Sequence, residues 1–439
     1  MDLTLQQARR DVLAIYQAAL SAVQGQKCVS QYLQHHLNEL AGPRSHETSG
    51  EQVNQVAVIA IGKAAVSMTQ GALQVLGQRI HCGLVVTKYG YAEQLDSRFH
   101  VLESAHPLPD HASLQAGQKL LDFIANLAPA TQVLMLLSGG ASALVEVLPE
   151  SSTLAEWQAL NQWLLSHDLD IHTINDIRKR CSCIKGGRLA QQLHNHAVTC
   201  LAISDVVDDD PAVIGSGMLS ADMKLQDTPA IALPQSLTRL IALAPPAPKA
   251  GDSCFNQVQY AVIANNDMAR QAACRAATQL GYEVSLAPGL INGNAEEQGR
   301  ELAQVLMDAN DKTRKDSGQH AHGQVMLWGG ETTMSLPDKP GRGGRCQSLA
   351  LSAAIQLRGH ARVVLLAAGT DGSDGPGTDA GAIVDGESVA RGQAQLSLDA
   401  EAYLRAADAG TFLQASHDLL HTGPTGTNVM DLIIGIAFA

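Results

Sequence analysis

Short apolar runs that stop at glycine or a polar turn and give way to helical periodicity recur along the whole chain. Val56 to Ile61 is broken by Gly62-Lys63 and followed by a helical pattern from Ala64 to Leu76. Val133 to Leu137 runs into Ser138-Gly-Gly-Ala-Ser142, and Thr199 to Ile203 runs into Ser204-Asp205. Further runs at Leu84–Thr87, near Val101, at Val262–Ala264, Glu283–Leu286, Val363–Ala368 and Leu432–Ala437 extend the alternation to both halves. Strand-length runs alternating with helical patterns predict an α/β protein with largely parallel sheets flanked by helices. In such sheets ligands bind beyond the carboxyl ends of the strands, so the turns that end these runs are the places to look for chemistry.

A chain of 439 residues exceeds one ordinary core, and its 45% hydrophobic composition is enough to fill two. Prolines gathered between Pro229 and Ala250 mark the connection, which divides the chain into domains at 1–245 and 246–439 with an expected cleft between them. Leu5, Ala8, Val12, Ile15, Ala19 and Val23 form one face of a first helix, opened by Thr4-x-x-Gln7 and ended by Gly25. No apolar run approaches the length that spans a bilayer, and the N-terminus lacks the order of a secretory signal, so the cytoplasm is the expected location. Eight cysteines without C-x-x-C spacing predict reduced thiols rather than a zinc site or a disulfide framework. A net charge of −13 argues against nucleic acid as a partner, whereas a local basic pocket still accommodates a small anionic substrate.

The candidate ligand loops are several. Lys63 sits at a strand-to-helix turn, and His106 lies on the turn of Ala105-His-Pro-Leu-Pro-Asp110. Ser138, Gly139, Gly140, Ala141 and Ser142 combine hydroxyls, flexible backbone N–H groups and a helix start, an anion cradle without the G-x-x-x-x-G-K-[ST] spacing. A basic run from Arg178 to Arg188 reads as a solvated helix face, although its double glycine also suits a close approach to a ligand. Asp205, at a strand end, offers an oxygen ligand for Mg²⁺. The stretch from Leu327 to Asp379 holds two glycine-rich turns, Glu331, Arg342, Arg345, Asp371, Asp374 and Asp379, and free N–H groups at a helix start beside Arg345 are expected to face an anion. His320-x-His322 lacks a third ligand nearby and is not a designed metal site.

Taken in order, AIGKAA at 60–65, AHPLPD at 105–110, LLSGGASAL at 136–144, NDIRKRCSCIKGGRLA at 175–190, ISDVVDDDPAVIGSG at 203–217, GGETT at 329–333, GRGGR at 341–345, GTDGSDG at 369–375 and TGPTGTNVMDL at 422–432 resemble the glycerate 2-kinases whose C-terminal half is the MOFRL domain. The resemblance implies a two-domain α/β enzyme that transfers the γ-phosphoryl of ATP to the 2-hydroxyl of D-glycerate with Mg²⁺. It carries the family's functional lysine onto Lys63 and its arginine onto Arg345, and its suspected metal or substrate carboxylates onto Asp205 and Asp371. On that footing Ser138 to Ser142 meet ATP phosphates, Lys63 the transferring phosphoryl, and Arg345 the glycerate carboxylate or the phosphoryl. The chain departs from the family's GGRNQE with Gly343-Gly-Arg-Cys-Gln-Ser348, and from its SGPT with Ser216-Gly-Met-Leu219.

Other readings make different demands. A kinase acting on a related hydroxy or sugar acid fits the same motifs with an altered acceptor loop. An NAD(P)-dependent hydroxypyruvate reductase calls for G-x-G-x-x-G between the first strand and its helix, where this chain has Ile61-Gly-Lys-Ala-Ala65. A non-catalytic ligand-binding protein is suggested only by Cys346 and Ser348.

Overall fold

The computed structural model describes residues 3–36, 55–129, 131–167, 171–226, 234–315, 323–397 and 399–438. The chain forms two compact units, 25–263 and 1–24 together with 264–439. His320 and His322 lie outside the described residues.

The 25–263 unit is built on a six-stranded sheet of β1 (Val56–Ile61), β2 (Ile80–Lys88), β3 (Phe99–Ser104), β4 (Gln132–Leu137), β5 (Val198–Ile203) and β6 (Val258–Ala264), in the order β3-β2-β1-β4-β5-β6. The pairings from β3 through β5 are parallel. Every residue of β1 is buried, as its unbroken apolar run requires when both faces of a parallel sheet are covered. Helix α1 (Leu5–Val23) begins the chain, and Gly25 opens helix α2 (Gly25–His36) instead of only ending α1. The helix α3 (Ala65–Leu76) follows β1, and α4 (His111–Ala125) follows β3 with Asp110 as its N-cap. Asp110 Oδ1 accepts from Ser113 N at 3.0 Å while Ser113 Oγ accepts from Asp110 N at 3.1 Å, which closes a capping box.

The second sheet runs β11-β10-β9-β12-β8-β7, from β7 (Glu283–Leu286), β8 (Gln324–Gly330), β9 (Val363–Gly369), β10 (Gly381–Asp385), β11 (Leu419–Leu420) and β12 (Asp431–Ala437). It is mixed, not largely parallel as the alternation predicts: β7 and β8 are parallel, but β12 is antiparallel to both β8 and β9, and β10 is antiparallel to β9. The cause is the connection. The helix Ala295–Lys315 gives β7 and β8 the crossover that parallel neighbours need, whereas the turn-rich stretch 370–380 between β9 and β10 holds none.

The units also divide the chain elsewhere than at residue 245. The proline segment is not a free linker: Arg188 Nε donates to Pro245 O at 2.8 Å, and a Cβ on Gly187 would lie 2.9 Å from Pro248 Cγ. Helix α1 joins the C-terminal unit. It buries Val12, Ile15, Ala19 and Val23, Tyr16 Oη donates to Gly369 O at 2.8 Å, and Tyr282 Oη donates to Asp11 Oδ2 at 2.6 Å. Arg9 and Arg391 both pair with the buried carboxylates of Asp385 and Asp418. Among the described residues no helix is long and apolar enough to cross a membrane, and all eight cysteines are free.

Candidate active site

In the 25–263 unit the turns after β1 and β4 are locked to each other. Lys63 N donates to Gly139 O at 3.0 Å, Ala64 N to Ser138 Oγ at 3.0 Å, and Ser138 N to Ile61 O at 3.0 Å. Gly62 sits at φ 135°, and a Cβ there would stand 2.1 Å from Ser138 Oγ, so only glycine lets the two turns meet. Gly140 is left-handed at φ 86°, and a Cβ on it would lie 3.0 Å from His106 Cδ2 and 3.5 Å from Lys63 Cγ. Three strand ends therefore converge on one spot.

A cavity of about 290 Å³ opens there, lined among others by Gly140, Ala141, Ser142, Asp205, His106 and Ser216. The oxygens of Ser142 and Ser216 are 2.6 Å apart. The expected cradle is thus only partly a lining: Ser138 is 1% exposed and spends its hydroxyl on the turn after β1, and Gly139 accepts from Lys63. Ser138 fits scaffolding better than contact with a phosphate. Gly140, Ala141, Ser142 and Asp205 border the space.

Residues of the basic run border it too, and they are not a solvated face. Lys185 is 1% exposed, and its Nζ donates to the fully buried Glu146, whose Oε1 also accepts from Ser182 Oγ at 2.6 Å. Lys179 Nζ pairs with Asp222 at 2.6 Å and donates to Ala212 O at 2.7 Å. Arg188 Nη1 donates to the carbonyls of Lys179 and Lys185, both at 3.0 Å. Long side chains on a short polar helix look solvated in sequence; partners distant in sequence, Glu146 and Asp222, make their burial possible. Arg178 lines the cavity, and burial lowers its pKa from the ordinary guanidinium value.

Arg345 and Asp371 belong to the other unit. Arg345 begins the helix Arg345–Gln356, pairs with Glu331, and stands 3.7 Å from Asp431 Oδ2. The N–H groups at that helix start do not await an external anion: Asp374 accepts from Cys346 N at 3.1 Å and Gln347 N at 2.8 Å. Burial pushes the Asp374 carboxyl up to about 6 against these hydrogen bonds. Burial likewise raises Asp431 to about 7, opposed by the Arg345 guanidinium and reinforced by Glu331. Asp371 Oδ1 accepts from Ser373 N at 2.9 Å and Ser373 Oγ at 3.1 Å. Arg342 pairs with Asp379 at 2.6 Å. Cys346 and Ser348, where the chain departs from GGRNQE, are both buried.

No cluster of three or more His, Cys, Asp or Glu among the described residues forms a metal cage. The cavity in the 25–263 unit offers Asp205 with the hydroxyls of Ser142 and Ser216, an all-oxygen donor set. That set fits Mg²⁺, which is commonly held by one or two carboxylates together with substrate phosphates.

Residues 11–239 match a family model described as a domain of unknown function, DUF4147, and residues 324–431 match the MOFRL family. A D-glycerate 2-kinase of Thermotoga maritima is 37% identical over 391 residues, which cover 88% of this chain and 91% of that protein. A glycerate 2-kinase of Pyrococcus horikoshii is 32% identical, with 87% of each chain covered. A protein of Agrobacterium vitis named as a putative hydroxypyruvate reductase is 36% identical over 85% of each chain. Among solved structures, the glycerate kinase of Thermotoga maritima superposes with a TM-score of 0.79 at 33% identity, covering 98% of this chain and all of that one.

Proposed function

Because this chain belongs to the glycerate 2-kinase family with a C-terminal MOFRL domain, we propose that it transfers the γ-phosphoryl of ATP to the 2-hydroxyl of D-glycerate, giving 2-phosphoglycerate. The observation that carries this reading is the cavity of the 25–263 unit, where oxygen donors and two cationic side chains meet beyond the ends of β4 and β5. Phosphoryl transfer through a loose transition state needs charge neutralisation and in-line positioning more than a covalent nucleophile. On this reading Lys63 neutralises charge on the transferring phosphoryl, and the Gly140–Ser142 turn offers backbone and hydroxyl contacts to the nucleotide phosphates. Asp205 would hold Mg²⁺, which would supply charge neutralisation between the phosphates when bound. Arg345 and Asp371 keep the roles that the family resemblance implies, Arg345 toward the glycerate carboxylate or the phosphoryl and Asp371 as a metal or substrate contact. A reductase reading is disfavoured because the turn after β1 closes through Gly62 and Lys63 onto Ser138 and Gly139, without the glycine fingerprint that seats a dinucleotide pyrophosphate.

The test is purified protein assayed with ATP and Mg²⁺, and separately with NADH, against D-glycerate and hydroxypyruvate. ATP consumption with D-glycerate, and a product that is the 2-phosphate by NMR, are expected. NADH oxidation by hydroxypyruvate without ATP use overturns the reading.

A further inference from the structure

We propose that Arg178, with Lys185 and the indole N–H of Trp157, forms the subsite that binds the carboxylate of the hydroxy-acid acceptor. The proposal rests on the kinase reading and moves carboxylate recognition away from Arg345. The helix Leu154–Leu165, started by Thr153 in a capping box with Glu156, carries Trp157 and Asn161 on one face, and the helix Ile171–Arg180 carries Arg178. Asn161, 4% exposed, donates from Nδ2 to Trp157 O at 2.8 Å and accepts at Oδ1 from Arg178 Nε at 2.6 Å. Both ends of the amide are committed, so the guanidinium is held through Nε. Its Nη1/Nη2 edge remains, and this is the edge that grips a carboxylate at two points.

Charge separates Arg178 from the arginines of the C-terminal glycine-rich turn. Arg345 is paired with Glu331 and lies near Asp431, and Arg342 is paired with Asp379. Among the described residues no carboxylate forms an ion pair with Arg178, although it lines the cavity and is half-buried. A guanidinium stays charged in proteins, and a half-buried charge is costly when the carboxylate that acts on it, Glu146, is already paired with Lys185. A ligand carboxylate removes that cost. Lys185, whose Nζ lies 5.8 Å from the centroid of the Trp157 ring, adds a second cation with donors beyond the one given to Glu146. Trp157 lines the same cavity at 1% exposure, and its Nε1 has no hydrogen-bond partner among the described residues. Buried indole N–H groups usually find a partner, and a ligand oxygen would be one.

The experiment uses the full chain and the variants Arg178→Gln and Arg178→Lys. Intrinsic tryptophan fluorescence follows titration with D-glycerate alone, with glycerol as the uncharged analogue, and steady-state assays give KM for D-glycerate and for ATP. Losing a charged two-point contact should weaken D-glycerate about 10- to 100-fold in both titration and KM, while the ATP KM changes less than about threefold. Arg178→Lys should show an intermediate loss, and if Arg178→Gln does not fold, that variant alone decides the point. Glycerol, which brings no carboxylate, should bind wild type and variants alike. A raised ATP KM with unchanged D-glycerate affinity gives Arg178 to the nucleotide and overturns the proposal, as does no change in either. A wild type that does not turn over D-glycerate overturns the kinase reading instead, and the titration without nucleotide still reads the subsite.

Discussion

Replacing Lys185 with methionine keeps most of the side-chain volume but strips the counterion from Glu146. The two side chains are 1% and 0% exposed, so water cannot take the place of the lost ammonium. Glu146 would retain only neutral donors, Ser182 Oγ at 2.6 Å and Val147 N at 3.0 Å. Removing one partner of a buried pair costs about 3–5 kcal/mol, because the remaining charge stays desolvated. For a unit of about 240 residues, an unfolding entropy of about 2.1 cal/mol/K per residue makes each kcal/mol worth about 2 °C. Lys185→Met should therefore lower the Tm of the 25–263 transition by about 6–10 °C. Adding Glu146→Gln removes the stranded charge while its amide oxygen still accepts from Ser182 and Val147, so the double variant should lose only about 1–2 kcal/mol for an incompletely bonded amide. Differential scanning calorimetry, with urea unfolding as a second measure, gives all three values. A single variant that costs less than about 1 kcal/mol, or a double variant no more stable than the single, refutes the claim that this pair carries a buried, mutually compensated charge.

Lys63→Ala should lower kcat by on the order of 10²–10³ with an unchanged Tm, read by steady-state kinetics beside calorimetry; lost stability with kept turnover would make Lys63 scaffold. Asp205→Asn should raise the Mg²⁺ concentration that gives half-maximal activity, and an unchanged Mg²⁺ titration removes Asp205 from the metal. Asp431, raised by burial to about 7, binds its proton more tightly folded than unfolded. Its linkage to stability is then fully present below about pH 4 and is lost as pH rises to about 7, by on the order of 3–4 kcal/mol. Asp431→Asn should flatten that part of the stability–pH curve, measured by urea unfolding from pH 4 to 8, and an identical slope in both proteins counts against a buried acid at this position.

Local chemistry is legible wherever a few consecutive residues decide it. Val56–Ile61 and Glu283–Leu286 are strands with the bounds that their composition suggests, and Asp110, ahead of a helical stretch, caps the helix that follows it. The convergence of Gly140, Ser142 and Asp205 also follows from sequence, since each sits where a strand ends. What resists reading depends on partners far along the chain. An apolar run such as Leu432–Ala437 does not encode its direction, and only pairing with β8 and β9 makes it antiparallel. The helix start at Arg345 looks open to an anion until Asp374, beyond the next strand, fills it. Arg178 and Lys185 are visible as a basic run, but their inward placement needs Asn161 and Glu146. The burial of Cys346 and Ser348 moves the departures from GGRNQE into the interior, where a helical N-terminal turn in sequence suggests an exposed loop.

The membership of α1 in the C-terminal unit has a consequence for biosynthesis. At about 5–20 residues per second, the ribosome delivers the roughly 240 residues between α1 and the first of its partners in about 10–50 s. By the end of that interval the 25–263 unit has all of its own strands, while the face of α1 bearing Val12, Ile15, Ala19 and Val23 has emerged without the surface that will cover it. The nascent chain thus carries an adhesive amphipathic helix ahead of a finished domain, a natural client site for a chaperone until β9 and the helix Asn266–Gln279 arrive. Moving residues 1–24 to follow residue 439 through a flexible linker would bring the helix out after its partners, and should raise the yield of native protein in a chaperone-free translation system.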